Sequence, residues 1–344
     1  MIPPDLRGRR ARDPFWVTVN AVFNGIQRMH SIRKPVVPYV RPVDRTFPLV
    51  VREMRPEAEG VVSVRLSAPE SGVLPRWQPG AHLDVRLPSG RRRQYSLCGD
   101  PEDRRAYRIA VRRIPDGGGG SAEIHDELAE GATIVGDGPR NAFPFLARER
   151  YLFIAGGIGI TPILPMVKAA QKMGADWRLV YAGRSRASLP FLEELPSERV
   201  TVRTDDEHGV PEPADLLGGA AGAAVYCCGP APMIDGVRAA FVPDGSSLHA
   251  EGTLHYERFA PPAVSGEPFE VELRRSGLTL EVPGDRSALD VIRDALPDVP
   301  YSCRQGFCGT CRTGLLDGEA DDPGGDSMLI CVSRSKGGRL TLDL

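Results

Sequence analysis

Four cysteines near the C-terminus have a spacing that suits a metal cluster. Three of them form the pattern C-x4-C-x2-C, and the fourth follows after a longer stretch: Cys303, Cys308, Cys311 and Cys331. Four thiolates with this spacing are typical of a plant-type [2Fe-2S] cluster. Zinc also binds four cysteines, but its sites commonly combine two C-x2-C pairs, and this sequence contains one such pair. The pattern therefore favours a [2Fe-2S] cluster in a reducing compartment.

Two other motifs suit a phosphate-bearing cofactor with a ring system. In the strand-like segment RQYSL an arginine could bind a phosphate in a bidentate manner, and a neighbouring tyrosine could lie against a ring. A run of glycines then precedes a helical segment, AEIHDEL, and N–H groups at such a position bind anions. Each motif alone is compatible with an ordinary strand or a flexible loop, whereas together they predict a flavin phosphate site. The candidate residues are Arg93, Tyr95, Ser96, Leu97, Gly119, Gly120 and Ser121.

A glycine-rich turn follows a buried strand-like segment, YLFIA, and opens a predicted helix, which is the setting of a nucleotide-binding turn. The turn lacks the third glycine of the Rossmann fingerprint, so its spacing alone decides nothing. Further on, the segment YCCGP ends another strand, where a cysteine would face the ligand crevice of an open α/β sheet. The candidate residues are Gly156, Gly157, Gly159, Thr161 and Cys228.

The elements that position these residues fall into regions of different type. Short strands between turns predict a small antiparallel barrel, at 47–55, 61–68, 82–87, 94–97 and 107–113. From Tyr151 onward strands alternate with helices, including a predicted helix at the FLEEL segment 191–195, which indicates a parallel α/β sheet. After a linker, hairpin-like strands and a helix at 287–295 accompany the cysteines.

Length and composition agree with a multidomain globular protein. A single hydrophobic core seldom serves 344 residues, so two or three domains are expected. The net charge of −2 gives no basis for nucleic-acid binding. The sequence has no apolar run of the roughly 18–20 residues that cross a bilayer and no clear export signal. We therefore expect a cytoplasmic protein.

Taken together, these motifs resemble the phthalate dioxygenase reductase and vanillate demethylase reductase family. The segments that carry the resemblance are RQYSLCGDP, IAVRR, GGGGS, PRNAFP, AGGIGITPIL, YCCGPAPM, HYERF, SCRQGFCGTC and the closing TLDL. They follow the family's order from about Phe47 to the C-terminus. Two features depart from it: the stretch before Cys331 is shorter than is usual in similar family members, and residues 1–45 have no counterpart in them.

The resemblance implies a fold of three domains. They are an antiparallel β-barrel flavin domain, an α/β nicotinamide-binding domain and a C-terminal α+β ferredoxin domain of the plant type, with a β-grasp fold. An N-terminal helical extension precedes them. We place the boundaries at 1–46, 47–147, 148–262 and 267–344.

The resemblance also implies cofactors and residue roles, with FMN rather than FAD as the flavin. The implied flavin contacts are Arg93, Tyr95, Ser96 and Ser121, with Phe259 over the flavin ring. The implied nicotinamide contacts are Gly157, Thr161 and Cys228. The residues expected at the site of hydride transfer are Ser96, Thr161, Cys228 and Phe259, and the implied cluster ligands are the four cysteines of the C-terminal motif.

The expected activity follows from how many electrons each cofactor moves. NAD(P)H gives two electrons as hydride and a [2Fe-2S] cluster accepts one, so a flavin must lie between them. No acid or base is required, and we interpret His82, His125 and His249 as structural or surface residues. The expected acceptor is the oxygenase component of a Rieske or other non-haem iron system, or a cytochrome P450. A membrane-bound desaturase or hydroxylase is the alternative acceptor, and a zinc-stapled binding module without activity is the alternative class.

The choice between NADH and NADPH rests on the residues after the second α/β strand. Arg184 and Arg186 favour the 2′-phosphate of NADPH, because no carboxylate stands beside them. The resemblance favours NADH, and Asp205 or Asp206 could supply an acidic residue from the next strand. We expect NADH as the substrate, with NADPH as the alternative.

Two charged segments bear on partners. Residues 1–45 carry nine basic and three acidic side chains, and their apolar residues fall on one side of a helix: Phe15, Trp16, Val19, Val22, Phe23, Ile26 and Met29. Residues 7–34 could therefore lie on the inner face of the cell membrane, or pack on protein. The acidic loop near the cluster suits docking on a basic partner protein, but we favour ordinary solvated charge as its explanation: Asp317, Glu319, Asp321, Asp322 and Asp326.

Overall fold

The computed structural model describes residues 18, 19, 21, 45–115, 119–241, 253–259, 264–301, 304–306, 309–322 and 325–344. The chain divides into two compact units, Met1–Asp44 and Arg45–Leu344. In the first unit only Thr18, Val19 and Ala21 are described, and they are helical. The rest of the predicted amphipathic helix lies outside the described residues.

An antiparallel barrel forms the first part of the larger unit. Its elements are β1 (Thr46–Ala58), β2 (Val61–Ser67), β3 (Ala81–Arg86), β4 (Arg92–Ser96), β5 (Ala106–Arg112), α1 (Gly120–Asp126) and β6 (Thr133–Asn141). The strand order is β4-β3-β6-β1-β2-β5. Cys98, just after β4, donates its N–H to the Arg108 carbonyl on β5 at 2.9 Å, so the two edge strands meet. The barrel interior is filled by apolar side chains that alternate along the strands, as the period-two pattern requires.

A parallel five-stranded sheet follows the barrel. Its elements are β7 (Arg150–Gly156), α2 (Ile160–Lys172), β8 (Asp176–Gly183), β9 (Val200–Thr204), α3 (Asp205–His208), α4 (Pro213–Leu217), β10 (Ala224–Cys228), α5 (Ala231–Ala240) and β11 (Thr253–Glu257). The order is β11-β10-β7-β8-β9. Strands buried on both faces explain the continuous apolar runs in the sequence. Val61, Cys98 and Ala110 of the barrel belong to the apolar cluster on one face of this sheet, so the two domains share a core.

The last domain is a mixed sheet covered by a helix. Its elements are β12 (Phe269–Leu273), β13 (Leu278–Val282), α6 (Ala288–Ala295), β14 (Arg312–Asp317), β15 (Ser327–Leu329) and β16 (Arg339–Leu342). The order is β13-β12-β16-β14-β15, with β12 and β16 parallel and the other pairs antiparallel. The predicted fold class is confirmed for all three domains.

The predicted helix at FLEEL is wrong. The segment forms a single 3-10 turn at Leu192–Glu194, preceded by Phe191 in the left-handed region at φ 61°. Pro190 and Pro196 bracket it, and proline disfavours helical backbone in the residue before it. The leucines and the phenylalanine, whose spacing suggested a helical face, belong instead to a short connection, in which Phe191 is buried.

Candidate redox site

A cavity of about 960 Å³ lies where the three domains meet. Strand β4 contributes Arg93, Gln94 and Ser96, and the end of β11 with the residues after it contributes Glu257 and Phe259. The ferredoxin domain contributes a third part of the wall: Arg293, Pro297, Asp298, Tyr301, Arg304 and Gln305. A ligand in this cavity would touch all three domains, which is the position required of a flavin between nicotinamide and cluster.

Strand β4 divides its predicted flavin residues between two sides. Gln94 and Ser96 line the cavity, whereas Tyr95 and Leu97 pack on the barrel core. Successive side chains on a strand point to opposite faces, so Gln94 and Ser96 share one side and Tyr95 lies on the other, although the long side chain of Arg93 still lines the cavity. The structure therefore brings Ser96 into the cavity and does not bring Tyr95 or Leu97 there. Burial raises the pKa of Tyr95 to about 12, so its phenol stays neutral.

The predicted phosphate site brings Arg93 against the start of α1. A Cβ atom on Gly120 would lie 2.5 Å from Nε of Arg93, so only glycine allows this approach. Gly119, at φ 79°, occupies the position before α1. The hydroxyl of Ser121 accepts the N–H of Ile114 at 3.0 Å. The side chain of Ser121 thus closes the loop before α1.

Glu257 is a site residue that the sequence argument missed. It is the last residue of β11, stands beside Cys228 in the parallel register and accepts a hydrogen bond from Ser96. Only 7% of Glu257 is exposed, and burial raises the pKa of its carboxyl to about 8, with the Ser96 hydroxyl acting weakly in the opposite direction. The HYERF segment was the available signal, but only its phenylalanine was singled out. Phe259 is 48% exposed and lines the cavity.

Unpartnered polar atoms test whether this cavity fits a flavin. Among the described residues, the buried atoms His82 Nε2, Gln94 Nε2 and Glu257 Oε2 have no hydrogen-bond partner, and all three residues line the cavity. Buried polar atoms without partners are rare and call for a ligand or water. A ring system edged with donors and acceptors, carrying a phosphate for Arg93, fits this set. His82, interpreted from sequence as structural, is therefore part of the site.

The glycine-rich turn packs against the end of β10. Gly157 has φ 52°, and a Cβ atom on Gly159 would lie 2.2 Å from the carbonyl oxygen of Cys228. Cys228 is fully buried, and this burial raises the pKa of its thiol well above the usual value. Thr161 is also buried and donates its hydroxyl to the Ile158 carbonyl at 3.0 Å. The turn thus needs glycines because of close contact with a neighbouring strand.

A second cavity, of about 400 Å³, opens beside this turn. It is lined by Gly156, Gly157, Arg184 and Asp205, four of the residues that the sequence analysis assigned to the dinucleotide site. It is also lined by Arg112 of the barrel, which the sequence argument did not select. Arg186 does not line this cavity, and its nearest carboxylate is that of Glu207 at 3.8 Å. The neighbouring Asp206 likewise stays outside.

The cluster loop is described in part. Cys303 and Cys308 lie outside the described residues, while Cys311 and Cys331 are buried and lie within hydrogen-bonding distance of each other, so these two predicted ligands come together in the fold. Gly306 and Gly309 both have positive φ, which lets the loop wrap tightly. A Cβ atom on Gly306 would lie 2.8 Å from a methyl of Val332, next to the fourth cysteine.

The cluster loop contacts the segment that lines the first cavity. The side-chain amide of Gln305 donates to the carbonyl of Arg258 at 2.5 Å. Arg258 also pairs with Asp235 on α5. Arg258 is therefore joined to both the cluster loop and the nicotinamide domain, and it precedes Phe259 directly.

The acidic loop near the cluster is largely used within its own domain. Asp322 accepts hydrogen bonds from Leu329 N–H and Ser333 Oγ, both at 3.0 Å, and Glu319 pairs with Lys336 at 2.8 Å. Asp321 accepts the N–H of Arg334. These bonds within the domain favour an ordinary solvent-facing loop over a surface that docks on a basic partner protein. None of the helices described is long and apolar enough to cross a membrane.

Comparison with known proteins agrees with this architecture. Residues 271–336 match the family model of the 2Fe-2S iron-sulfur cluster binding domain. The chain is 39% identical over 307 residues to phthalate dioxygenase reductase of Burkholderia cepacia, covering 83% of this chain and 94% of that protein. The solved structure of phthalate dioxygenase reductase, which its title describes as a modular structure for electron transfer from pyridine nucleotides to [2Fe-2S], matches with a TM-score of 0.66 and 37% identity, covering 87% of this chain and 98% of that one.

A second solved structure carries the same architecture inside a longer chain. Full-length CYP116B46 from Tepidiphilus thermophilus matches with a TM-score of 0.67 and 37% identity, covering 93% of this chain and 45% of that one. The shared cluster domain, the identity over most of both chains and the two cavities lead to one conclusion. This chain belongs to the phthalate dioxygenase reductase family of oxygenase reductases.

Proposed function

We propose that this chain takes hydride from NADH onto FMN in the cavity between its three domains and passes single electrons through its [2Fe-2S] cluster to an oxygenase. The observation that carries the proposal is the set of unpartnered polar atoms of His82, Gln94 and Glu257, which line a cavity shared by all three domains. FMN supplies the conversion from a two-electron donor to a one-electron acceptor.

The residues of the site have distinct proposed roles. Arg93, held against Gly120, would bind the FMN phosphate, and Phe259, which lines the cavity, would pack against the flavin. Gly156, Gly157, Gly159 and Thr161 shape the turn that receives the dinucleotide. The cluster ligands are proposed to be Cys303, Cys308, Cys311 and Cys331.

Three buried groups meet beside the place of hydride transfer. Cys228 and Glu257 end neighbouring strands in register, and Ser96 donates to Glu257 from the barrel. A carboxyl with a pKa near 8 keeps its proton at neutral pH, so Glu257 brings no negative charge to the site when hydride arrives. Ser96 is thereby held in one orientation toward the cavity.

NADH is the proposed donor because of the carboxylate at its site. Asp205 lines the second cavity and can accept the ribose 2′-hydroxyl, whereas it would repel a 2′-phosphate. Arg186, which could have attracted that phosphate, lies outside the lining residues and near Glu207. NADPH remains the alternative donor, through Arg184.

The proposed acceptor is a Rieske or other non-haem iron oxygenase, or a cytochrome P450. The phenoxybenzoate and toluene-4-sulfonate systems are named among the relatives, and a P450 chain among the solved structures. A membrane-bound desaturase or hydroxylase is the alternative acceptor, because residues 7–34 could place the reductase on the inner face of the membrane. We propose that this peripheral contact is made by the basic, apolar segment.

The flavin assignment is tested by cofactor retention. Arg93→Ala should weaken FMN binding about 10-fold or more, since a charge-assisted bond to a charged group contributes about 1.5–3 kcal/mol. Binding is measured from the recovery of flavin fluorescence on dilution, and Arg105→Ala, on an exposed site of the same barrel, is the matched control. NADH-dependent cytochrome c reduction by protein that contains no flavin would contradict the proposal.

A further inference from the structure

The ferredoxin domain is joined to the other two domains by few contacts among the described residues. Its apolar core draws only on residues 269–344, whereas the barrel and the nicotinamide domain share a core. Between the described residues of the ferredoxin domain and those of the other two domains, one hydrogen bond crosses and no ion pair does. Domains without a large apolar interface are expected to move relative to each other. The position of the cluster relative to the first cavity therefore depends on the contact that does cross.

The hydrogen bond that crosses runs from the cluster loop to the residue after β11. The side-chain amide of Gln305, which lies between the first two cysteines of the motif, donates to the carbonyl of Arg258 at 2.5 Å. Phe259, the next residue, lines the first cavity. The bond thus connects the loop that carries the predicted cluster ligands to the segment beside the predicted flavin.

The donor of this bond is held by an unusual backbone conformation. Arg304, directly before Gln305, has φ 56°, in the left-handed region that residues other than glycine seldom adopt. Its guanidinium pairs with Asp290 on α6, so this conformation is supported by its own domain. Backbone outliers that are supported in this way cluster at functional positions. Here the residue that follows the outlier reaches into another domain.

The acceptor of the bond is fixed from the opposite side. The Arg258 side chain is only 12% exposed and pairs with Asp235 on α5. Glu257, the residue before it, is buried and accepts a hydrogen bond from Ser96 of the barrel. The Arg258 carbonyl therefore belongs to a segment anchored to both the barrel and the nicotinamide domain. Such a fixed acceptor can define where the cluster loop sits.

We propose that Gln305 is a positioning residue for electron transfer: its hydrogen bond to Arg258 holds the cluster loop against the segment that carries Phe259, and so sets the separation of flavin and cluster. The inference rests on the proposed function, since it concerns transfer between those two cofactors. Each transfer oxidises the reduced flavin by one electron and reduces the cluster by one, so the two electrons of a hydride leave in two transfers. Hydride transfer itself should not depend on Gln305, because the second cavity is lined by the other two domains.

The test compares Gln305→Met with Gln171→Met in the holoprotein. Methionine has nearly the length of glutamine but donates no hydrogen bond, and Gln171 is an exposed glutamine on α2, so it provides the matched control. After rapid mixing with NADH, flavin reduction should keep its wild-type rate in both variants. The subsequent reduction of the cluster should slow about 2- to 10-fold in Gln305→Met alone, the factor that corresponds to one neutral hydrogen bond. Gln305→Asn, whose amide is too short to reach Arg258, should slow the same step.

A second measurement follows the contact itself without turnover. Hydrogen–deuterium exchange in the peptide that spans residues 253–259 should be faster in both Gln305 variants than in the wild type, because this segment loses its bond to the cluster loop. Gln171→Met should exchange like the wild type. The iron content and the EPR spectrum of the reduced cluster should stay unchanged, which separates positioning from damage to the cluster. If Gln305→Met loses iron, Gln305→Asn decides the comparison.

An unchanged rate of cluster reduction, or unchanged exchange, in both Gln305 variants would overturn the inference. An equal slowing of flavin reduction would also overturn it, because Gln305 would then act on the flavin site rather than on the position of the cluster loop. Failure of the wild-type protein to reduce its flavin with NADH would instead refute the proposed function.

Discussion

Ser96 donates a hydrogen bond to Glu257, joining the flavin barrel to the last strand of the nicotinamide sheet at the wall of one cavity. The two residues are 161 positions apart in the chain and come from different domains. The Glu257 carboxyl is buried and has this hydroxyl as its hydrogen-bond partner, so its pKa depends on how the two domains pack. Titration of Glu257 therefore reports on the packing of the two domains at the site.

The first prediction concerns the pH dependence of stability. The folded-state pKa of Glu257, about 8, lies above the ordinary value of 4.5, so the folded protein binds more protons between these values. Stability should therefore fall as pH rises from about 4.5 through about 8, and the loss should then level off. Glu257→Gln should remove this component. The measurement is the melting temperature of the holoprotein from pH 5 to 9.

A control distinguishes this carboxyl from any other. Glu149 is exposed, and Glu149→Gln tests whether loss of a glutamate charge alone changes the profile. Parallel melting curves for the wild type and Glu257→Gln across the whole range would refute a neutral, buried Glu257.

The second prediction concerns the cluster. Cys308→Ser and Cys311→Ser should abolish the [2Fe-2S] absorption and the reduction of cytochrome c, because each removes one of four thiolates. Flavin reduction by NADH should persist, since it takes place in other domains. Cys98→Ser is the control: Cys98 lies in the barrel, and a serine there can still bond the Arg108 carbonyl. Retention of both iron and cytochrome c reduction in the Cys308 and Cys311 variants would show that the ligands are wrongly assigned.

The third prediction concerns the choice of dinucleotide. Wild-type protein should have the higher kcat/KM with NADH. Asp205→Ser should lower the ratio of kcat/KM for NADH to kcat/KM for NADPH by about 10-fold or more, because the carboxylate that repels a 2′-phosphate is lost. Asp206→Ser should change it little, since Asp206 does not line the cavity. Steady-state kinetics with both cofactors decide the matter, and a wild-type preference for NADPH would show that Arg184 outweighs Asp205.

The fourth prediction concerns a buried arginine of the ferredoxin domain. Arg334 donates to the carbonyls of Glu267, Pro283 and Arg286, each at 2.9 Å, and only 7% of it is exposed. Arg334→Met removes three hydrogen bonds that a charged guanidinium donates, and each bond of this kind contributes about 1.5–3 kcal/mol. The domain should lose about 3 kcal/mol or more, measured as earlier thermal loss of cluster absorption.

The matching surface arginine is the control for this experiment. Arg339 pairs with Glu270 and Glu272 in solvent, and exposed pairs of this kind contribute about 0–1 kcal/mol. Arg339→Met should therefore shift the transition only slightly. Equal shifts of the thermal transition in the two variants would show that the hydrogen bonds from Arg334 to the three carbonyls do not stabilise the domain.

Local pattern was sufficient for most elements of the fold. The helix expected at 287–295 is Ala288–Ala295, and its Ser287 caps the N–H of Asp290 at 3.1 Å, a signal contained within four residues. FLEEL failed because the nearby prolines and the left-handed Phe191 decide its backbone, against the apolar spacing. The barrel strand β6 also escaped prediction, since its glycines and proline, GDGP, interrupt any alternation.

Site residues that act across domains were the ones that sequence reasoning missed. Glu257 and Arg112 become significant only because they contact Ser96 and the Gly157 turn, which are remote in the chain. By contrast, Arg93 and Gly120 were predicted together, because an arginine on a strand and a glycine run before a helix can each be recognised from local sequence. The sequence identifies the charged residues, but only the folded structure shows whether each of them has a hydrogen-bond or ion-pair partner.

The last prediction concerns residues 1–45, where basic residues flank the apolar positions of the amphipathic helix predicted from the sequence: Arg7, Arg9, Arg10, Arg12, Arg28, Arg33 and Lys34. Apolar burial and attraction to anionic lipid add together, at up to about 1 kcal/mol per basic residue near the surface. The full chain should float with anionic vesicles in low salt, and a version starting at Phe47 should not. Neutral vesicles should bind less, because the electrostatic part is then absent. If the two versions fail to float equally, the membrane proposal is refuted, and a lower melting temperature of the truncated form would then indicate packing on protein.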